Sequence, residues 1–243
     1  MEYGAFAFPD SSGTRLLTVA DPSQPAMLRT ALCNGGGRFT VQFERRQAEI
    51  KGHNGRQTPY NFDKLAGDVF AVPQRKIEES ASCFLASDGL LSSATVLPAE
   101  SPAGSSECGP DVRLGLASSR SRPVVNCYAI ARLPADRCLL LVEFARRDKD
   151  ALASLVLVDH DRMIFADYPA VFRGKGEDLW RVDDGGVLSA EGFRVVFLLQ
   201  RGTFYALGIN WLGSEGGSLA VFVSNGDNRF TRVIADYWYW MPV

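Results

Sequence analysis

The residues best equipped for chemistry in this chain are few and scattered. Asp159-His160-Asp161 sets an imidazole between two carboxylates, the raw material of acid/base catalysis or of a metal site. These three occupy a tight turn, where consecutive side chains diverge, and no second histidine or cysteine lies near them in sequence. A solvated turn is therefore expected. Gly35-Gly36-Gly37 leads into a strand rather than a helix N-terminus, so it reads as a hairpin turn and not as a phosphate cradle. Glu143 interrupts an apolar run and shares a strand face with Leu139 and Leu141. Burial there would raise its pKa and suit it to proton transfer, whereas a place at the strand end beside Arg146 and Arg147 would leave it an ordinary carboxylate. Neither a Gly-x-Ser-x-Gly elbow nor a Gly-x-x-x-x-Gly-Lys-Ser/Thr loop occurs. The five cysteines form no Cys-x-x-Cys pair and lie far from both histidines, so neither a metal site nor a cofactor is expected.

More informative is an aromatic constellation near the carboxyl end. If the turns Arg201-Gly202 and Asn225-Gly226 lie at one end of an antiparallel meander, its opposite rim collects Glu191, Trp211, the 213–217 loop with Glu215, and the tail bearing Trp238 and Trp240. Large amphipathic rings at a rim stack on a sugar, a flat ligand or a partner's side chain, while the two carboxylates accept hydrogen bonds from ligand hydroxyls. The competing expectation is that Trp211 and the tail plug the open end of a core. A glycosidase would need two carboxyl groups about 5 to 9.5 Å apart across a cleft.

The elements that must position these residues are strands. Phe39-Thr40-Val41-Gln42-Phe43 alternates apolar and polar at period two. Strand-like runs recur at 82–85, 91–97, 112–117, 124–132, 138–145, 152–158, 162–166, 193–200, 203–211, 218–224 and 229–240, separated by turn words such as Asp88-Gly89, Pro134-Ala135-Asp136 and Asp183-Asp184-Gly185-Gly186. Short turns imply antiparallel neighbours. Only 74–80 and 146–150 read as helical. Segments 51–61 and 98–110 carry no periodicity and read as long loops, each a lid or a plain surface connection. Asn-Gly-x-x-Arg-Phe-Thr occurs twice, at 34–40 and 225–231, without a repeat period, as two hairpins of like turn chemistry would give.

The last four strands are apolar on both faces. Phe193, Val195, Phe197 and Leu199 alternate with Val196 and Leu198, and Tyr205, Leu207 and Ile209 with Ala206 and Gly208. A small barrel in water would present polar residues outward, so this meander is expected to be covered by other strands or by another subunit. The fold class is all-β: an antiparallel meander forming a closed barrel or a two-sheet sandwich, with propeller-like blades as the alternative. Residues 1–243 are read as one domain, the other division being β subdomains 1–100 and 111–243.

Charge and length narrow the partners. With 26 Lys+Arg against 28 Asp+Glu and the basic residues dispersed, no nucleic-acid partner is expected. The longest apolar runs fall far short of the ~20 residues of a spanning helix, and the first ten residues lack the basic and apolar regions of a signal peptide. Cys127 and Cys138 should not face each other across the turn at 134–136, and reduced thiols are expected, hence a cytoplasmic chain, with export behind a removed leader as the alternative. The functional expectation is a non-enzymatic binding protein for a small, partly apolar or sugar-like ligand held by Trp211, Glu215, Trp238, Trp240 and Glu191. The alternatives are an assembly module that pairs with another protein or forms a homo-oligomer, and a carbohydrate-active hydrolase using two carboxylates.

Overall fold

A computed structural model describes residues 4–102, 107–174, 179–183 and 187–240. Its amino-terminal part supplies β1 (Gly4–Pro9), β2 (Arg15–Thr18), β3 (Leu28–Cys33), β4 (Gly37–Thr40), β5 (Gln42–Gln47), β6 (Gly67–Ala71) and β7 (Cys83–Ser87), joined in one antiparallel sheet in the order β4-β3-β7-β1-β2-β6-β5. The two edge strands, β4 and β5, are separated in the chain by Val41 alone, so the sheet curls until its edges approach. Leu16, Ala31, Val41, Phe70 and Leu85 pack together on one of its faces. The short helix α1 (Asp88–Leu91), β8 (Thr95–Val96) and helix α2 (Pro110–Arg120) follow. Next comes a four-stranded meander of β9 (Val124–Leu133), β10 (Arg137–Arg147), β11 (Asp150–Asp159) and β12 (Arg162–Val171). A second meander, β13 (Phe193–Arg201), β14 (Phe204–Leu212), β15 (Gly216–Ser224) and β16 (Phe230–Tyr239), is widened by β8 into a five-stranded sheet.

The five-stranded sheet is the middle layer. One face packs Leu198, Leu207, Ile209 and Phe222 against Leu139, Leu141, Leu155 and Ile164 of the four-stranded sheet. The other packs Val196, Phe197, Leu199 and Val221 against Phe6, Phe8, Leu32 and Phe84 of the curled sheet. This explains why the last strands are apolar on both faces: each face is covered within the chain. Beyond the four-stranded sheet, Leu116 of α2 packs on Val142, Phe144 and Val156.

Several expectations are corrected. Phe197 and Leu199 do not share a face with Phe193 and Val195, because a bulge between Val195 and Phe197 inserts one residue and exchanges the faces beyond it. Residues 112–117 are helical, not extended. The alternation of Val112, Leu114 and Leu116 mimics a strand, but Pro110 in the first turn, Asp111 beside it and Arg120 in the last turn suit a helix, and Leu114 is left 70% exposed. Neither 74–80 nor 146–150 is helical; the latter is the turn between β10 and β11. Strands β1, β2, β3 and β6 carry no clean alternation, since β1 and β2 are buried on both sides and show almost no polar position.

The thiols are also corrected. Cys33 bonds to Cys83 and Cys108 to Cys127, leaving Cys138 free, so the expected reduced state does not hold for four of the five. Cys138 and Cys127 do stand apart, opposite Arg132 and Val142 respectively. Cys33 and Cys83 are directly opposed on neighbouring strands β3 and β7 and are almost fully buried.

Candidate functional site

One end of the interface between the curled and middle sheets is closed by the β3–β4 hairpin turn together with two long chain segments. The turn after β3 docks on the β13 bulge: Gly35 N–H donates to the Val195 carbonyl at 2.7 Å and Gly36 N–H to that of Val196 at 3.1 Å. The strand-like segment after β8 then joins all three sheets. Leu97 N–H donates to Leu198 O of the middle sheet, Ala99 N–H to Gly35 O of the curled sheet's turn, and Glu100 and Arg132 exchange two backbone bonds at the edge of the four-stranded sheet. The bulge therefore turns two carbonyls toward a glycine turn that a regular strand would have paired elsewhere.

The 51–64 segment closes the other side. Phe62 is buried edge-on to Phe8, which also stacks on Trp238 with ring centres 5.8 Å apart. Trp238 Nε1–H donates to the Gln57 carbonyl at 2.6 Å, Gln57 N–H to the Tyr239 carbonyl, and Tyr239 N–H to Gln57 Oε1 at 2.9 Å. Asn61, fully buried, donates to the Arg56 carbonyl and to the Asn54 side chain, holding the bend of the loop. Both segments that lacked periodicity are thus anchored walls, as far as their described residues go; 103–106 lie outside them.

Between these walls lies a cavity of about 670 Å³. Trp238, Trp240, Leu212, Val195 and Pro59 give it apolar surface, while Asn210, Ser82, Gln57, Thr58, Glu78, Glu79 and Arg194 give it polar groups. Its deepest polar feature is Asn210, only 1% exposed. Asn210 Nδ2 donates to the Ser82 hydroxyl at 2.7 Å, and Oδ1 has no hydrogen-bond partner among the described residues. Gly217 makes this packing feasible: a Cβ there would lie 2.1 Å from Asn210 Oδ1 and 2.8 Å from the Trp240 ring. Cys33 and Cys83 pin the cavity rim, because Asn34 and Ser82, the residues next to them in the chain, both line it.

The expected site residues divide. Trp238 and Trp240 come together, ring centres 5.0 Å apart, at this cavity. Trp211 lies on the opposite face of the middle sheet, 8% exposed, stacked on Phe193 and edge-on to Tyr168, with Nε1 unpartnered among the described residues. Glu215 belongs to the loop joining β14 and β15, which the Asp183 carboxylate holds by accepting from the N–H groups of Ser214, Glu215 and Gly216. Its carbonyl accepts from Trp240 N–H. Burial, then the charges of Asp183 and Glu215, push the nearby Tyr237 phenol up. Glu191 is exposed and borders a separate cavity of about 270 Å³ with Glu143, Asn126, Tyr128 and Ser189.

Glu143 shares its face with Leu139 and Leu141 and accepts from Asn126 Nδ2 at 2.7 Å. In the Asp159-His160-Asp161 turn, His160 is exposed, but Asp159 is not merely solvated: it accepts from the buried Tyr205 hydroxyl at 2.7 Å. Burial, then this bond, push the Tyr205 phenol up. Sequence reasoning passes over Asn210 and Ser82. The available signal is a lone amide amid the apolar residues 205–212. Among the described residues no cluster of three or more His, Cys, Asp or Glu is placed to hold a metal ion. The chain matches no protein-family model, no curated protein and no solved structure.

Proposed function

We propose that this chain is a non-enzymatic binding protein that takes a small, partly apolar, sugar-like ligand in the 670 Å³ cavity. The observation that carries the reading is Asn210, a buried amide with one end on Ser82 and the other unpartnered among the described residues, beside the Trp240 ring. An unpaired buried polar group costs about 1–3 kcal/mol, which a ligand hydroxyl reaching the amide recovers. The half-buried Trp240 indole, backed by the buried Trp238, offers apolar surface to the same molecule. The size suits one small ligand, within the ~300–1,000 Å³ of ordinary binding cavities.

The alternatives have less support. The case for an assembly module rested on apolar strand faces left over for a partner, and the chain covers those faces itself. The hydrolase reading needs two carboxylates across one cleft, and neither Glu191, which borders the 270 Å³ cavity, nor Glu215 lines the 670 Å³ one. Glu78 and Glu79 lie consecutively in one segment of the cavity lining.

The test is a titration with a panel of neutral mono- and disaccharides read by tryptophan emission. A saturable change is expected, weakened about tenfold or more in Asn210→Ala, as loss of one buried hydrogen bond implies. Melting temperatures establish that the variant is folded. No response to any saccharide, or an equal response in the wild type, Asn210→Ala and Trp240→Ala, overturns the proposal.

A further inference from the structure

The opposite end of the same interface carries a second opening, separate from the cleft just described. It is a groove of about 680 Å³ formed where β13 ends, β14 begins and β15 ends, with α1 and its following residues on the other side. Leu199, Ala206 and Val223 of the middle sheet face Leu90 and Ala94 across it. Met27 and Phe204 also line it, left 56% and 48% exposed, an unfavourable placement for two large apolar side chains in water.

The polar groups of the groove are nearly all committed or peripheral. The Ser224 hydroxyl oxygen accepts from Tyr205 N–H at 2.9 Å and the Ser87 hydroxyl oxygen from Leu90 N–H at 3.4 Å, while Gln24 and Asn225 are exposed. Among the described residues that line it, Arg201 is the one charged side chain; no carboxylate accompanies it. Arg201 forms no ion pair among the described residues. An apolar groove bearing one uncompensated cation is complementary to a chain-like apolar molecule with one anionic end, and guanidinium matches a carboxylate in bidentate geometry.

We infer that this groove binds a free fatty acid, its hydrocarbon chain lying between Leu199, Val223, Leu90 and Ala94 and its carboxylate on Arg201. The exposed Met27 and Phe204 side chains then cover the chain. A flexible thioether and a ring adapt to chains of different length.

Isothermal titration calorimetry with octanoate, decanoate and dodecanoate, each below its micelle concentration, tests this. Affinity should rise by about fourfold per added methylene until the groove is filled. Arg201→Gln should weaken dodecanoate about tenfold and leave dodecanol unchanged, consistent with loss of one charge-assisted contact. Ala94→Trp, placed on the groove wall, should abolish both, with an unchanged melting temperature showing that the variant is folded. Absence of dodecanoate binding, affinity independent of chain length, or equal affinity in the wild type and both variants overturns the assignment. Co-sedimentation with phosphatidylglycerol vesicles without binding of free dodecanoate also overturns it, in favour of a lipid surface as the source of the same acyl chemistry. The sugar titration uses other probes and other residues, so either site can fail alone.

Discussion

The two ends of the interface between the curled and middle sheets draw on the same sheets yet differ in the charged and ring side chains they present. At one end, β13 begins and β14 and β16 finish, and the cavity between them is lined by three amides, hydroxyls, three charged groups and two indoles. At the other end, a groove of nearly the same size is lined by aliphatic side chains, a methionine, a phenylalanine and one arginine, with Gln24, Asn225, two serines and Tyr205 as its other polar residues. The turn words match: Asn34-Gly35 lies at the first and Asn225 at the second, each opening the same Asn-Gly-x-x-Arg-Phe-Thr string. The difference comes from the connections. Segments 51–64, 73–82 and 97–102 bring polar side chains such as Gln57, Thr58, Glu78 and Ser101 to the first end, whereas the connections at the far end bring Met27, Leu90 and Ala94 beside the sheet's own apolar residues. Strands build the walls, and crossing segments decide what the walls can recognise.

The largest effect that sharpens this contrast is at Trp211, which the geometry assigns to packing between the middle and four-stranded sheets. Trp211→Ala should cost about 3–5 kcal/mol in denaturant unfolding, the range for truncating a buried tryptophan. A loss below about 1 kcal/mol would mean that this ring is not packed as described. Next, replacing Cys33 and Cys83 together by Ser should cost about 2–4 kcal/mol, because the bridge closes a long loop of the unfolded chain. It should also weaken any saccharide response, since Asn34 and Ser82 line the polar cavity. Dodecanoate binding at the far end should be untouched; equal damage to both ends would show that the two do not respond separately. The smallest effect is at Gly226, whose φ of +81° favours glycine. Gly226→Val should cost about 1 kcal/mol or more and disturb Phe204, which a Cβ would meet at 3.4 Å, while the polar end stays intact. An unchanged melting temperature would contradict the turn.

Much of the fold is legible in the residues, and the reasons for the rest are physical. The strands from 124 to 240 show themselves because their turns are short and rich in Asp, Asn and Gly. Strands β1 and β2 do not, because a sheet buried on both faces erases the period-two signal in Ala5-Phe6-Ala7-Phe8 and in Leu16-Leu17. Helix α2 is hidden because Val112, Leu114 and Leu116 alternate as in a strand, although only Val112 and Leu116, four apart, share the helical face that packs and Leu114 is exposed. At the candidate site, the rim of Trp238 and Trp240 follows from strand polarity. The separation of Trp211 from them follows from its place in the strand: it alternates with Asn210, so the two side chains leave the sheet on opposite faces. Asn210 and Ser82 meet across 128 positions of sequence, a contact that no local pattern encodes.

The measurement that bears most directly on the polar cavity is denaturant unfolding of Trp240→Ala. Trp240 is only partly buried and meets Trp238 edge-on at the cavity. A ring that serves a ligand rather than the core should be removable at a loss well below about 3 kcal/mol, and that is the predicted result. A loss of about 3 kcal/mol or more would make Trp240 a core plug and contradict its assignment to a binding site.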